Sequence, residues 1–414
     1  MSKENVLCGL DIGSTKIRTI IVKKEYDSSQ YLVVGVGESL SYGIRKGTMV
    51  DFEETVSSIS ESLEKAERMS GVQINHAVVS IGGTHISSQN SKGVIAVSRA
   101  DGEVSSQDVE RVIKAARAVS LPVNREILHI IPKNFIVDGQ QGIKDPIGMN
   151  GMRLEVDAHI IEGGTHFIKN ISRCTEQAGI EVDALVLSPL AAAKAILDKR
   201  QKELGVALVD IGGGTCGLAV FEEGDLIHSQ ILPVGAEHIT NDLAIGLRTS
   251  IDTAERIKLD FGFANAAEVS EREEVNLSKV DSEEEGVVRK KEIAQIIEAR
   301  AREIFVMVNK ELKKIGKSGK LPAGVVFSGG GAKMPGLVDV AKRELKLPSQ
   351  IGFPAGFKGM VDKIDDPAFA TCCGLVIWGD EEVGTGESKG KSINFDSFKN
   401  VFGKVRNWSQ RFLP

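Results

Sequence analysis

Residues 205–221 read GVALVDIGGGTCGLAVF, and residues 7–22 read LCGLDIGSTKIRTIIV. Each is an apolar run, then Asp-Ile-Gly, a small polar turn, and a second apolar run. The pattern is that of a β-hairpin. A two-residue turn needs only Asn-Gly or Gly-X, so three glycines at one tip mean that the backbone there comes close to something else. The unit recurs about 200 residues on, which predicts a duplicated α/β fold with two lobes around a cleft.

Two such turns facing each other would present backbone N–H groups, hydroxyls and an ammonium, the donors that a polyphosphate takes. In the first turn Gly13 lets the chain approach, Ser14 and Thr15 supply hydroxyls, and Lys16 supplies charge. In the second, Gly212, Gly213 and Gly214 bare the backbone and Thr215 adds a hydroxyl. Asp11 and Asp210 each end the strand before a turn. Paired carboxylates there suit Mg²⁺, held through its waters. One such turn reads equally as a plain hairpin with Asp as turn former; the matched pair favours phosphate. A third element, VVFSGGGAKMPGL (325–337), is a buried strand running into Gly329, Gly330 and Gly331, then Met334. A flat group can lie on such a backbone. In TAERIKLDFG (253–262), Glu255 and Lys258 share a helical face at i, i+3, the spacing of a surface ion pair or of two ligand contacts.

The 414-residue chain has a net charge of −6 and is 42% hydrophobic and 26% charged. That is ordinary for a globular chain long enough for several domains, and the negative balance argues against nucleic acid as a partner. Five cysteines, Cys8, Cys174, Cys216, Cys372 and Cys373, form no C-x-x-C and read as buried thiols in a reducing compartment. The start, MSKENVLCGLDIG, lacks the pattern of a signal peptide. No run of 18 apolar residues predicts a membrane span.

Strands are expected at 6–12, 17–22, 31–36 and 76–83, and a helix at 53–69. Residues 84–163 read as short strands with one helix, SQDVERVIKAARAV. A helix (165–178), the strand VDALVL and the helix PLAAAKAIL follow. Beyond the second hairpin, 236–260 reads as helical, 268–290 as an acidic solvated excursion, and 291–315 as a long helix. Then come the strand GVVFSGGG, the helix LVDVAKREL and a last helix in DDPAFATCCGLVIWG. DEEVGTGESKGKS is a linker by composition.

The two phosphate hairpins and the Gly-rich strand, in this order and spacing, resemble the actin/Hsp70/hexokinase ATPase superfamily. Within it the whole chain is similar to the bacterial cell-division family FtsA. The resemblance implies ATP with Mg²⁺, with Glu255 and Lys258 at the adenine- and ribose-contacting positions. VDALVLSPLAAAKAIL matches the crossover helix between the lobes, and DDPAFATCCGLVIWG the returning C-terminal helix. The implied organisation is subdomain 1A (1–83), an inserted subdomain 1C (84–163), 1A with the crossover (164–198), 2A (199–232), 2B (233–321), 2A again (322–355) and a return to 1A (356–380). A flexible linker (381–392) and an amphipathic helix (393–414) follow. One position departs from the superfamily. Where a Glu or Gln often positions the attacking water, this chain has Ser188, a poor base. That favours nucleotide binding with at most slow ATPase activity.

On a helical wheel of the tail INFDSFKNVFGKVRNWSQRFL (393–413), Phe395, Phe398, Phe402, Val405, Trp408 and Phe412 fall within an arc of about 140°. Residues 391–414 hold five basic residues and one acid, flanking that arc. These are features of an interfacial membrane helix on anionic lipid; the alternative is a helix that docks on the body. Several weak anchors on one polymer would bind firmly, which fits filament formation. The resemblance further implies a peripheral protein on the cytoplasmic membrane face at the division site. It would anchor the tubulin-like protein FtsZ there and recruit other division proteins. FtsZ's C-terminal peptide is implied near Lys291 and Arg300 of the long helix, residues that also read as a solvated face. Rivals on the same fold are the pilus-assembly protein PilM, which the basic tail argues against, and a sugar kinase, for which no catalytic Asp stands out. An Hsp70-type chaperone would need a further domain beyond residue 380.

Overall fold

The computed structural model describes residues 5–24, 30–118, 121–282 and 284–383. The chain opens with an antiparallel meander, β1 (Asn5–Ile12), β2 (Lys16–Lys24) and β3 (Tyr31–Leu40). A short pair, β4 (Ile44–Arg45) and β5 (Thr48–Met49), leads into α1 (Phe52–Ser70). Asp51 caps α1 by accepting from Glu54 N, and Gly71, at φ 66°, ends it. β6 (His76–Ile81) then returns parallel to β1.

An inserted unit follows: β7 (Ser87–Ala96), α2 (Ser106–Arg117), β8 (Arg125–Val137), β9 (Gln140–Ile143) and β10 (Arg153–Gly164). Its sheet runs β7-β10-β8-β9, and Val109, Val112 and Ile113 of α2 pack with Leu154 and Val156 of β10. The first lobe resumes with α3 (Thr165–Gln177) and β11 (Glu181–Leu187), and α4 (Ser188–Ile196) and α5 (Lys199–Leu204) lead across to the second.

The second lobe repeats the opening: β12 (Val206–Ile211), β13 (Cys216–Glu222) and β14 (Asp225–Leu232). Helices α6 (Ala236–Leu247) and α7 (Ile251–Phe261), the hairpin β15 (Glu274–Asn276) and β16 (Val287–Arg289), and α8 (Lys290–Lys314) come next. β17 (Val325–Ser328), α9 (Leu337–Leu345) and β18 (Ser349–Ile351) complete this lobe. β19 (Phe357–Gly359) and α10 (Ala370–Val383) return to the first.

The main sheets run β11-β6-β1-β2-β3-β19 and β14-β13-β12-β17-β18. Written in reverse, the second is β18-β17-β12-β13-β14, and each strand falls on its counterpart in the first. The duplication expected from the two hairpins is therefore the architecture. α10 closes it. A Cβ on Gly374 would lie 1.7 Å from the Ala191 carbonyl of α4, and one on Gly9 of β1 would lie 2.5 Å from the Cys372 carbonyl of α10. Glycine at both places lets α10 lie directly against the crossover helix and the central strand. All five cysteines are free and buried, as read from their spacing.

Three expectations are corrected. The helix expected over 236–260 is two helices, because Arg248 turns left-handed (φ 57°) and Ser250 caps a new start by accepting from Thr253 N. The 268–290 excursion is not simply solvated: it holds the β15–β16 hairpin, and Val275 and Leu277 are buried in the second-lobe core. Residues 381–383 of the expected linker are helical, since α10 continues to Val383, and the rest of it lies outside the described residues. The tail residues 393–414, with Phe395, Phe398, Phe402, Val405, Trp408 and Phe412, lie outside the described residues.

Candidate functional site

Each hairpin delivers its aspartate by register. Asp11 pairs with Arg18 across β1–β2, and Asp210 with Gly217 across β12–β13. Each aspartate also receives a serine hydroxyl from the parallel neighbour strand: Ser80 Oγ donates to Asp11 Oδ1 at 2.7 Å, and Ser328 Oγ to Asp210 Oδ1 at 3.2 Å. Ser80 Oγ also accepts from Ile12 N at 2.9 Å. The two serines are counterparts in the duplication and were not read from the sequence. Their signal was there, in VVSIGG (78–83) beside VVFSGGG (325–331).

Both carboxyls are held above the ordinary aspartate range. For Asp11 the cause is burial, opposed by the Ser80 hydrogen bond. Asp210 is pushed up to about 6 by burial and by the charge of Asp11. A buried carboxyl raised by burial and by a neighbouring aspartate favours a cation beside it. Among the described residues no group of three or more His, Cys, Asp or Glu could hold a metal ion. A bare protein cage is therefore not what these aspartates make, and the donor set fits an ion that keeps its waters and takes oxygens from a bound phosphate.

The two turns meet. A Cβ on Gly213 would lie 1.8 Å from Thr15 Oγ1, and one on Gly214 would lie 2.9 Å from both Ser14 Oγ and Lys46 N. The carbonyls of the second turn are fixed from behind by the start of α6: Ala236 N donates to Gly212 O and Glu237 N to Gly213 O, each at 2.9 Å. Thr215 closes that turn through its carbonyl, which accepts from Gly212 N at 2.9 Å. Ser14 Oγ accepts from Gly47 N at 2.9 Å. Lys16 is not free: its ammonium ion-pairs with Glu38.

The third element joins this cluster. Gly329, at φ 81°, is so close to the second hairpin that a Cβ would lie 2.5 Å from Asp210 Oδ1, whereas a Cβ on Gly330 would meet open space. Gly331 packs on Ile211, and Met334 reaches Gly262 at the end of α7. On α7, Glu255 and Lys258 pair at 2.5 Å, and Lys258 Nζ also donates to Thr240 Oγ1 of α6 at 2.8 Å. The i, i+3 spacing thus makes a bonded trio with a buried lysine rather than a loose surface pair. Ser188 opens α4 and donates to the Ile81 carbonyl at 3.2 Å. Lys291 and Arg300 lie apart from this cluster on α8. Lys291 pairs with Glu271 at 2.7 Å, and Arg300 forks onto Asp242 of α6 at 2.6 and 2.8 Å.

Residues 207–374 match the family described as "Cell division protein FtsA", and residues 83–162 match "SHS2 domain inserted in FTSA". The cell division protein FtsA of Pseudomonas aeruginosa is 36% identical over 98% of this chain and 97% of its own length. That of Bacillus subtilis is 41% identical over 91% of this chain and 84% of its own. Among solved structures, the PilM-PilN type IV pilus biogenesis complex aligns with a TM-score of 0.66 at 15% identity, covering 90% of this chain and 98% of that one. MreB5 of Spiroplasma citri, in a structure bound to ADP, aligns with a TM-score of 0.55 at 14% identity, covering 92% and 99%. Those likenesses establish the duplicated actin-like fold. With relatives of this identity along nearly its whole length, the chain belongs to the FtsA family of bacterial cell-division proteins.

Proposed function

We propose that this chain binds ATP with Mg²⁺ between its two glycine turns and, so loaded, polymerises on the cytoplasmic face of the membrane, where it anchors FtsZ and recruits other division proteins. The observation that carries the reading is the meeting of Gly13–Thr15 with Gly212–Gly214, each turn preceded by a serine-bonded aspartate. Gly13, Ser14, Thr15 and Lys16 would serve the phosphates from one lobe, and Gly212, Gly213, Gly214 and Thr215 from the other. Asp11 and Asp210 would order the water shell of the metal. Gly329, Gly330, Gly331 and Met334, with Glu255 and Lys258, would hold the nucleoside. The solved relative MreB5 was captured with ADP, which supports a nucleotide in this fold.

The membrane part rests on the tail sequence. The FtsZ peptide is assigned near Lys291 and Arg300 by family resemblance; their ion pairs with Glu271 and Asp242 mean that an acidic peptide would have to compete for them. Ser188, with its hydroxyl on the Ile81 carbonyl, supports slow turnover. Sedimentation of the full chain with anionic vesicles, with and without ATP, followed by electron microscopy of the pellets, tests the whole. Filaments on the vesicle surface that need ATP are expected. ATP-independent binding without filaments would leave a membrane-bound monomer and overturn the polymer reading.

A further inference from the structure

Two side chains of the first turn that could donate to a phosphate are held by carboxylates of the chain itself. Thr15 Oγ1 donates to Glu237 Oε1 at 2.7 Å, a bond between the lobes across 222 positions of sequence. Lys16 ion-pairs with Glu38, whose other oxygen takes Arg18 Nε at 2.9 Å. Glu237 sits at the turn itself. A Cβ on Gly213 would lie 2.9 Å from its Oε1, and its own N–H is fixed on the Gly213 carbonyl. Thr15, Glu237 and Gly213 are therefore one cluster.

A carboxylate oxygen and a phosphate oxygen are the same kind of anionic acceptor for a hydroxyl or an ammonium. We propose that Glu237 and Glu38 stand in for phosphate oxygens toward Thr15 and Lys16, so that nucleotide binding is an exchange of acceptors that also unties the lobes at Thr15–Glu237. This rests on the nucleotide reading above and adds what limits affinity at that site. A triphosphate must displace two internal anions, and the donor released from Glu237 is one that ties the two lobes at the turns. Position 237 therefore sets both affinity and lobe closure.

Double-mutant cycles in the full chain test this, with a fluorescent ATP analogue and Mg²⁺ as the probe. Glu237→Ala and Glu38→Ala should each tighten binding by threefold or more. Glu237→Gln keeps an acceptor oxygen and should gain less than Glu237→Ala. The gain from Glu237→Ala should vanish in a Thr15→Val background, and that from Glu38→Ala in a Lys16→Met background. Gains that persist undiminished in those backgrounds would mean a through-space charge effect and overturn the exchange. Weaker binding in Glu237→Ala would make Glu237 a nucleotide-serving group and overturn it as well. If the wild-type chain binds no analogue at any concentration, the nucleotide reading itself fails, a result distinct from either of these.

Discussion

At the scale of single residues, the site is governed by the Asp11–Asp210 pair. The carboxyl of Asp210 is raised to about 6, so its neutral form is favoured in the fold. Without a cation, its contribution to stability is present at low pH, is lost as pH rises from the ordinary aspartate range to about 6, and changes little above that. A Mg²⁺-nucleotide needs the opposite form, the carboxylate. Affinity for Mg-ATP should therefore rise roughly tenfold between pH 5 and 7. Asp210→Asn, neutral throughout, should keep only the shallower dependence of the nucleotide itself. Titration calorimetry at pH 5, 6 and 7 reads both slopes, and equal slopes would remove Asp210 from the metal's water shell.

The aspartates, the glycines and the hydroxyls were legible because each hairpin states its turn within ten residues. Glu237 was not, because its partner Thr15 is placed by the meeting of two lobes and by nothing local. Lys16 was legible as a charge but not as a member of an ion pair, since Glu38 reaches it across β2–β3.

At the scale of elements, the decisive contact is α10 on α4. These helices touch backbone to side-chain position at Gly374, where a Cβ would lie 1.7 Å from the Ala191 carbonyl. No rotamer relieves a Cβ, so Gly374→Ala must push the helices apart. The cost of such overpacking is about 1–3 kcal/mol, and a thermal melt should show a clear fall in midpoint. An unchanged midpoint would mean that α10 is not seated on the crossover helix as described. The sequence announces this helix by its apolar run but not the close approach, because a glycine inside ATCCGLVIWG looks like a mere weak helix former. The break between α6 and α7 was missed for a related reason. The apolar periodicity continues through residues 236–260, and only Thr249-Ser250 before Ile251-Asp252 marks a new N-cap. The β15–β16 hairpin was hidden by acidic composition, although Val275 and Leu277 are buried in the core and Val280 and Val288 pack partly against it.

At the scale of the whole molecule, the fold was legible from one repeated sentence, and the lobes it builds bring both turns to one place. Residues 391–414 hold five basic residues and one acid, which would contribute about 1 kcal/mol per net positive charge on anionic lipid. On the proposed reading, apolar insertion of Phe395, Phe398, Phe402, Val405, Trp408 and Phe412 would add to that. Deleting 393–414 should abolish vesicle binding and leave ATP affinity and the melting midpoint unchanged. Trp408 fluorescence in the intact chain should shift to the blue with anionic vesicles, and Phe402→Asp should release the protein, at a cost of roughly 2–3 kcal/mol for a charge in the acyl region. A docked helix would give the reverse: a lower midpoint on deletion and no response of Trp408.

The claim on which the rest depends is that a nucleotide lies between the two turns. A Cβ on Gly213 would lie 1.8 Å from Thr15 Oγ1, so a branched side chain there fills the space between the turns. Isothermal titration of Mg-ATP into the wild-type chain and into Gly213→Val measures this directly, with far-UV circular dichroism as the check on folding. Saturable binding to the wild type and a loss of at least tenfold in affinity in a folded Gly213→Val are expected. Equal affinity in the two proteins would contradict the account.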